Sequence, residues 1–289
     1  MTEKKYTIGI DVGGTKMSAV LYDGDDILAD DLLATPKDNL DHFLVMINAL
    51  VENMERKASE LKVKVDRIGL SIAGTVDGAR RKVLNAPNIP IVSGVNLADL
   101  LEERINKPVS MDHDMNCFLL AEIKKGGGRK YQNVYAVTVS TGIGGAWWYN
   151  GEVYRGAHCG AGEPGEMIME FGSKISLEES YQKMTQNNPA AMAEKAFRGD
   201  ILAEKTFHEL GDYLGVALAN IVNIIDPEVI IVTGGVMESS ELFLGRIKKT
   251  MKEYIVSEES GKKIKIIKSK LGANGCAIGA AILATQLDD

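Results

Sequence analysis

The chain has 289 residues, 45% of them hydrophobic, and a formal net charge of −7. That length and apolar content supply one large or two medium domains with a sizeable core. The acidic balance argues against a nucleic-acid partner, which selects a basic face, and no apolar run approaches the roughly 18 residues of a membrane span. Cys117, Cys159 and Cys276 are odd in number, far apart and without CxxC spacing, which fits reduced thiols in a cytoplasmic protein. Asp11 and the glycines after it interrupt the apolar stretch behind Lys4-Lys5, so no signal peptide is expected.

In chain order, Tyr6 to Ile10 reads as a buried strand and Lys16 to Tyr22 as a second. Asp23-Gly24-Asp25-Asp26 is a turn before a third, Ile27 to Ala34. A helix follows, with Asp38 expected as its N-cap and Leu40, Phe43, Leu44, Ile47, Leu50, Val51 and Met54 on one apolar face. Arg67 to Ile72 is a strand that runs into the turn Ala73-Gly74-Thr75-Val76-Asp77-Gly78. Leu97 to Ile105 reads as a helix, and Pro108 to Met111 as a short strand that delivers Asp112-His113-Asp114. The pattern then restarts. Asn116 to Ile123 is helical, and Val134 to Val139 is a strand ending in Ser140-Thr141-Gly142-Ile143-Gly144-Gly145. Ala146 to Tyr149 and Glu152 to Tyr154 form a hairpin around Asn150-Gly151. A strand, a glycine-rich loop and antiparallel strands thus occur twice, an architectural duplication. A long helix carries Phe207, Leu210, Leu214, Ala217, Leu218, Ile221, Val222 and Ile225 on one face and stops at Asp226-Pro227. Val229 to Thr233 is a buried strand ending at Gly234-Gly235, Ile264 to Lys268 is the last strand, and Asn274 to Gln286 is an alanine-rich helix.

Gly13-Gly14 lets the backbone approach a ligand, and successive N–H groups in such a turn form an anion nest, to which Thr15 adds a hydroxyl. Asp11, at the strand end, can hold Mg²⁺ through water. The spacing is neither a Walker A loop nor GxGxxG, and the bland alternative is a plain hairpin turn. Thr141-Gly142-Ile143-Gly144-Gly145, also behind a buried strand, makes a second candidate phosphate loop. Asp114, between a strand and a helix, can serve as a general base. From local sequence alone, a helix N-cap is the better reading of it. Glu163 and Glu166 flank Pro164-Gly165 on a glycine-rich loop suited to vicinal hydroxyls, although locally a solvated surface loop is favoured. His42, His113, His158 and His208 form no metal pattern, and no GxSxG or cysteine–histidine signature appears.

Taken together, these residues resemble the ROK family of repressors, open reading frames and kinases, within the actin-like ATPase and sugar kinase superfamily. The resemblance runs nearly end to end. It rests on Asp11-Val12-Gly13-Gly14-Thr15-Lys16, Asn85-Ala86-Pro87-Asn88-Ile89, Asp114 with Asn116, and Ser140 to Gly145. It continues through Gly151 to Gly156, Ala161-Gly162-Glu163-Pro164-Gly165 and Asp226 to Gly235. The resemblance implies an α/β fold of two actin-like (ribonuclease H-like) lobes with mixed sheets around a central cleft. The expected lobes are a small one, 1–112 plus 275–289, and a large one, 113–274. It implies ATP-dependent phosphorylation of a hexose hydroxyl, O6, with Asp114 as general base rather than cap. Asn88, Glu163 and Glu178 would bind sugar hydroxyls. Gly13, Gly14, Thr15, Lys16, Thr141 and Gly142 would hold the phosphates of ATP, and Gly234 and Gly235 would lie beside the adenosine. Mg²⁺ at Asp11 and a homodimer are implied as well, with no nucleic-acid or membrane partner. Kinases for N-acetylated hexosamines or fructose, and a non-catalytic sugar sensor, are the alternatives.

Two positions depart from the family pattern. His113 stands where an Asn precedes the catalytic Asp, and Glu166 stands where a His closes the AGExGH motif. Both positions face the sugar in the family. That His is normally a zinc ligand beside a cysteine cluster, and Met167 to Glu178 contains no cysteine, so no structural zinc is expected. Repressors of the family carry an N-terminal helix–turn–helix domain. The first strand here begins by Tyr6, which makes transcriptional control the weaker expectation.

Overall fold

The structure, a computed structural model, describes residues 4–286. The apolar opening run forms β1 (Tyr6–Val12), turns back into β2 (Lys16–Tyr22), and turns again into β3 (Ile27–Ala34). Asp23 makes the second turn. Its Oδ1 accepts the N–H groups of Asp25 and Asp26 at 2.9 and 2.8 Å, the local bonding that favours Asp in turns. In α1 (Leu40–Glu60) the expected face from Phe43 to Met54 is buried. The N-cap is Asn39 rather than Asp38. Asn39 Oδ1 accepts the His42 N–H at 2.8 Å, while Asp38, one residue too early, reaches the His42 ring.

β4 (Val65–Ile72) pairs parallel with β1. A short hairpin of β5 (Thr75–Val76) and β6 (Val83–Asn85) and helix α2 (Leu97–Ile105) then lead to β7 (Val109–His113), parallel to β4. Helix α3 (Asp114–Lys124) begins directly after β7. The last helix, α9 (Gly275–Thr285), returns to this sheet. It lies so close that a Cβ on Gly9 or Gly69 would sit 1.9 or 1.7 Å from the carbonyl oxygen of Ala277 or Ala280.

The second set of elements repeats the first. β8 (Asn133–Val139) and β9 (Ile143–Tyr149) pair antiparallel, and β10 (Glu152–Tyr154) joins β9 through Asn150-Gly151, both at positive φ. That geometry is the two-residue hairpin turn that Asn-Gly favours. A small hairpin, β11 (Ile168–Glu170) with β12 (Ile175–Ser176), precedes α4 (Leu177–Thr185) and α5 (Pro189–Phe197). The long helix α6 (Ile201–Ile225) ends at Asp226, whose φ of 42° takes the chain out of the helix. β13 (Val229–Thr233) runs parallel to β8, and α7 (Leu244–Tyr254) and α8 (Glu258–Lys263) lead to β14 (Lys265–Lys268), parallel to β13. Among the described residues the two large sheets therefore read β3-β2-β1-β4-β7 and β10-β9-β8-β13-β14. In both, two antiparallel pairings are followed by two parallel ones. The duplication expected from the glycine loops is present in the topology.

Contacts divide the described residues into two compact units. One holds 4–129, 155–160 and 270–286, and the other 130–154 and 161–269. The sequence expectation divided the chain after 112 and 274. The contact division keeps α3 with the first unit because α3 packs on α9: a Cβ on Gly279 would lie 1.7 Å from the Cys117 carbonyl oxygen. Each unit has its own apolar core. Among the described residues no helix is long and apolar enough to cross a membrane.

Candidate active site

In the first unit, β1 and β2 are joined by the loop Gly13-Gly14-Thr15, closed by Gly13 N–H donating to Lys16 O at 3.0 Å. Thr35, just past β3, clamps this loop twice. Its hydroxyl donates to Gly13 O at 2.7 Å and its N–H to Thr15 O at 3.1 Å. The N–H groups of Gly14 and Thr15 take no acceptor among the described residues, which leaves them as anion donors. Gly14 lies against Asn88, and a Cβ there would stand 2.8 Å from Asn88 Cβ. The first phosphate-loop candidate and the first sugar-binding candidate are therefore in contact. Lys16 is exposed at the start of β2.

Asp11 sits on β1 with its Oδ1 accepting the Ser71 hydroxyl at 2.7 Å. Burial pushes its carboxyl up to about 6, and the charge of Asp114 adds to the rise. Ser71 and Lys16 only partly oppose it. A desolvated carboxyl next to another acid is a site that a cation would relieve. Among the described residues no group of three or more His, Cys, Asp or Glu side chains could hold a metal ion by itself.

The junction of β7 and α3 carries Asp112, His113 and Asp114. The N-cap position is His113, so Asp114 is the first residue of the helix and not its cap. Asp114 Oδ1 accepts the Met115 N–H at 2.6 Å and lies 3.2 Å from His113 Nε2. Local sequence set capping against base chemistry as rivals for the same oxygens. Here one oxygen meets the backbone and the His113 ring, and Oδ2 has no hydrogen-bond partner among the described residues. Asp112, 1% exposed, is fully engaged. It accepts from His113 N–H, Asn116 Nδ2 and the Arg155 guanidinium.

In the second unit, Ser140 N–H donates to Gly142 O at 2.9 Å, which curls Ser140-Thr141-Gly142 into a tight turn between β8 and β9. Helix α4 grips both ends of that turn. The Tyr181 hydroxyl donates to Ser140 O, and Glu178 Oε2 accepts the Ile143 N–H at 2.6 Å. A Cβ on Gly142 would lie 2.5 Å from Glu178 Oε2, so a larger residue here would displace the carboxylate from its bond to Ile143. Gly165 is also beside Glu178, at 3.3 Å on the same measure, so the candidate sugar loop and the candidate phosphate loop meet at this side chain. Glu163 and Glu166 bracket a single 3₁₀ turn, Pro164–Glu166, with Glu163 partly buried and Glu166 exposed. Burial, followed by the Glu163 charge, drives the Tyr135 hydroxyl pKa well above its ordinary value, and that hydroxyl donates to Gly162 O at 3.3 Å.

A cavity of about 650 Å³ opens beside the turn, bounded by Ser140, Thr141, Gly235 and Val236 and by Asn187 and Phe197 of the α4–α5 region. Gly234, at φ 101°, starts this wall, and a Cβ there would fall 2.2 Å from Val139 O. Within the first unit the structure groups Gly13, Gly14 and Asn88. Within the second it groups Thr141, Gly142, Glu178 and the cavity with Gly235. Sequence reasoning missed Asp112, Ser71, Thr35, Arg155, Tyr181 and the α5 side of the cavity. Ser71, Thr35, Arg155 and Tyr181 act through partners distant in the chain, and Asp112 joins its neighbours His113 and Asn116 to the distant Arg155. Thr35, by following β3 directly, had a local signal.

The model of the ROK family matches residues 7–287. A glucokinase of Streptomyces coelicolor is 27% identical, with 98% of each chain covered. The N-acetylgalactosamine kinase AgaK of a Shewanella species is also 27% identical, with 97% of each covered. The crystal structure of a ROK family glucokinase from Streptomyces griseus, in complex with glucose and AMPPNP, is similar at a TM-score of 0.82 and 28% identity. That alignment covers 97% of this chain and 99% of the other.

Proposed function

Because the chain belongs to the ROK family, we propose that it is an ATP-dependent sugar kinase that transfers the γ-phosphoryl group of ATP to a hexose hydroxyl, O6, with Asp114 as general base. The observation that carries this reading is the divided carboxylate of Asp114: Oδ1 is held by the Met115 N–H, and Oδ2 is left to accept a proton. In the proposed reaction Asp114 Oδ2 takes the hydroxyl proton as the sugar oxygen attacks in line. Asn88 and Glu163 orient the sugar hydroxyls, with His113 and Glu166 alongside them. Glu178 adds a sugar contact while fixing the turn at Ile143. The free N–H groups at Gly14 and Thr15, with Thr141 and Gly142, receive the phosphates, and Lys16 adds charge there. The 650 Å³ cavity beside Gly234 and Gly235 receives the adenosine.

Asp11 is the residue that fits Mg²⁺, since its raised carboxyl loses a proton most readily when a cation is near. The ion, held there through water, would neutralise charge on the phosphates.

A second reading, an N-acetylhexosamine kinase, is supported by the Shewanella relative, which is 27% identical to this chain, as the Streptomyces coelicolor glucokinase is. The test is ADP release from ATP over a panel of hexoses and N-acetylhexosamines, with a no-sugar control. Release that depends on glucose supports the first reading, and release confined to N-acetylated sugars supports the second. Sugar-independent release, or none, contradicts both.

A further inference from the structure

We propose that Asp112 and Arg155 form a positioning pair that sets the orientation of Asp114 and ties it to the segment leading into the Glu163 loop. The inference rests on the reading of Asp114 as the base.

Asp112 is the last buried residue of β7, with its side chain 2% exposed. Its hydrogen bonds are shared out in an informative way. Oδ1 accepts the His113 N–H and the Asn116 Nδ2, both at 2.8 Å. Those two groups flank Asp114 in the chain, so one oxygen pins the backbone just before the base and the first helical turn just after it. Oδ2 takes two bonds from Arg155, from Nε at 2.9 Å and Nη2 at 2.5 Å, and Arg80 Nη1 stands 3.8 Å away. A carboxylate this deep is costly to bury, and apolar residues of similar volume would serve a purely structural role as well or better. What an apolar pair could not supply is the directional hold on the two groups beside Asp114.

Arg155 completes the argument. It opens residues 155–160, which belong to the first unit although the chain on either side of them belongs to the second. Eight residues after Arg155 comes Glu163. The pair therefore fastens the lead-in of the sugar loop to the end of the strand that presents the base. His113, whose Nε2 is 3.2 Å from Asp114 Oδ1, is fixed by the same carboxylate through its own N–H.

The test compares D112N, R155A, R155K and the D112N/R155A double variant with the wild type for sugar-dependent ADP release. Thermal unfolding serves as the folding control, because Asp112 and Arg155 both lie in the first unit, and AMPPNP binding reports on the nucleotide side, whose 650 Å³ cavity is lined by the second. Misplacing the base should lower kcat by roughly tenfold to a hundredfold in D112N and R155A. AMPPNP affinity should hold within about twofold, and the double variant should be no worse than the weaker single one, because the two residues act as one unit. Millimolar guanidinium should restore R155A and leave D112N unchanged. R155K, which loses the fork that meets Oδ2, should also fall.

D112N is nearly isosteric, so it decides the matter if R155A does not fold. Wild-type kcat in D112N with AMPPNP binding intact would overturn the pairing, as would additive losses in the double variant. A wild type without sugar-dependent release would instead overturn the kinase reading on which the pairing rests.

Discussion

Asp11→Asn should make the ligand-free protein more stable at neutral pH, the opposite of what most substitutions in a buried site do. The Asp11 carboxyl is pushed up to about 6 from an ordinary value of 3.8, chiefly by burial and then by the charge of Asp114. Between those values the folded chain holds a proton that the unfolded chain has released. Stability from this group is thus fully present below pH 4 and is lost as pH rises through 6. The shift corresponds to at most about 3 kcal/mol at neutral pH. Asparagine is near-isosteric, keeps an acceptor for the Ser71 hydroxyl and does not ionise. The assay is urea unfolding of wild type and D11N from pH 4.5 to 8 without nucleotide or Mg²⁺. The two should be close at the acid end. D11N should be the more stable by about 1–3 kcal/mol at pH 7, and the same variant should lose kinase activity. A D11N protein less stable than wild type at pH 7, or a difference that does not change with pH, would refute the reasoning. On the proposed reading, the wild-type carboxylate is a local instability that a cation beside the phosphates would relieve.

The two loops give the remaining predictions. Gly14→Ala drives a Cβ to 2.8 Å from Asn88 Cβ. It should raise KM for sugar and for ATP together, by roughly tenfold or more, in steady-state kinetics, and an effect on ATP alone would separate the loop from Asn88. Glu178→Ala leaves the Ile143 N–H without its 2.6 Å acceptor. The cost should be about 1–3 kcal/mol of loop order, read as weaker AMPPNP binding by calorimetry. Unchanged binding would confine Glu178 to the sugar.

Much of the scaffold was legible because its signals are local. The Asn150-Gly151 turn, the stop at Asp226-Pro227 and the apolar face of α1 each follow from residues adjacent in sequence or spaced by a helical turn. The repeat of strand, glycine loop and antiparallel strands was enough to anticipate a duplication, whereas the parallel strands that complete each sheet appear only in the structure. The cap of α1 was missed by one residue because Asp38 and Asn39 are both good caps, and only backbone geometry separates them.

Most braces of the site join residues far apart in the chain and could not be read. Asp112 looks like any strand residue until Arg155 arrives 43 positions later, and Glu178 meets Ile143 across 35. Helix α4 is a different case: it is short, but the capping box of Ser176 and Glu179 is a local signal that announces it. The surroundings of Asp114 needed the structure for another reason. Sequence framed cap and base as alternatives, whereas the helix begins one residue earlier than a capping Asp114 would require. That frees one carboxylate oxygen while the other is held.

The measurement closest to the central claim is ADP release by wild type and Asp114→Asn over the sugar panel, with binding of the preferred sugar measured on both. The account predicts sugar-dependent release by the wild type. In the variant it predicts a fall in kcat of at least about a hundredfold, with sugar binding largely kept. Near wild-type turnover by the D114N protein would contradict it.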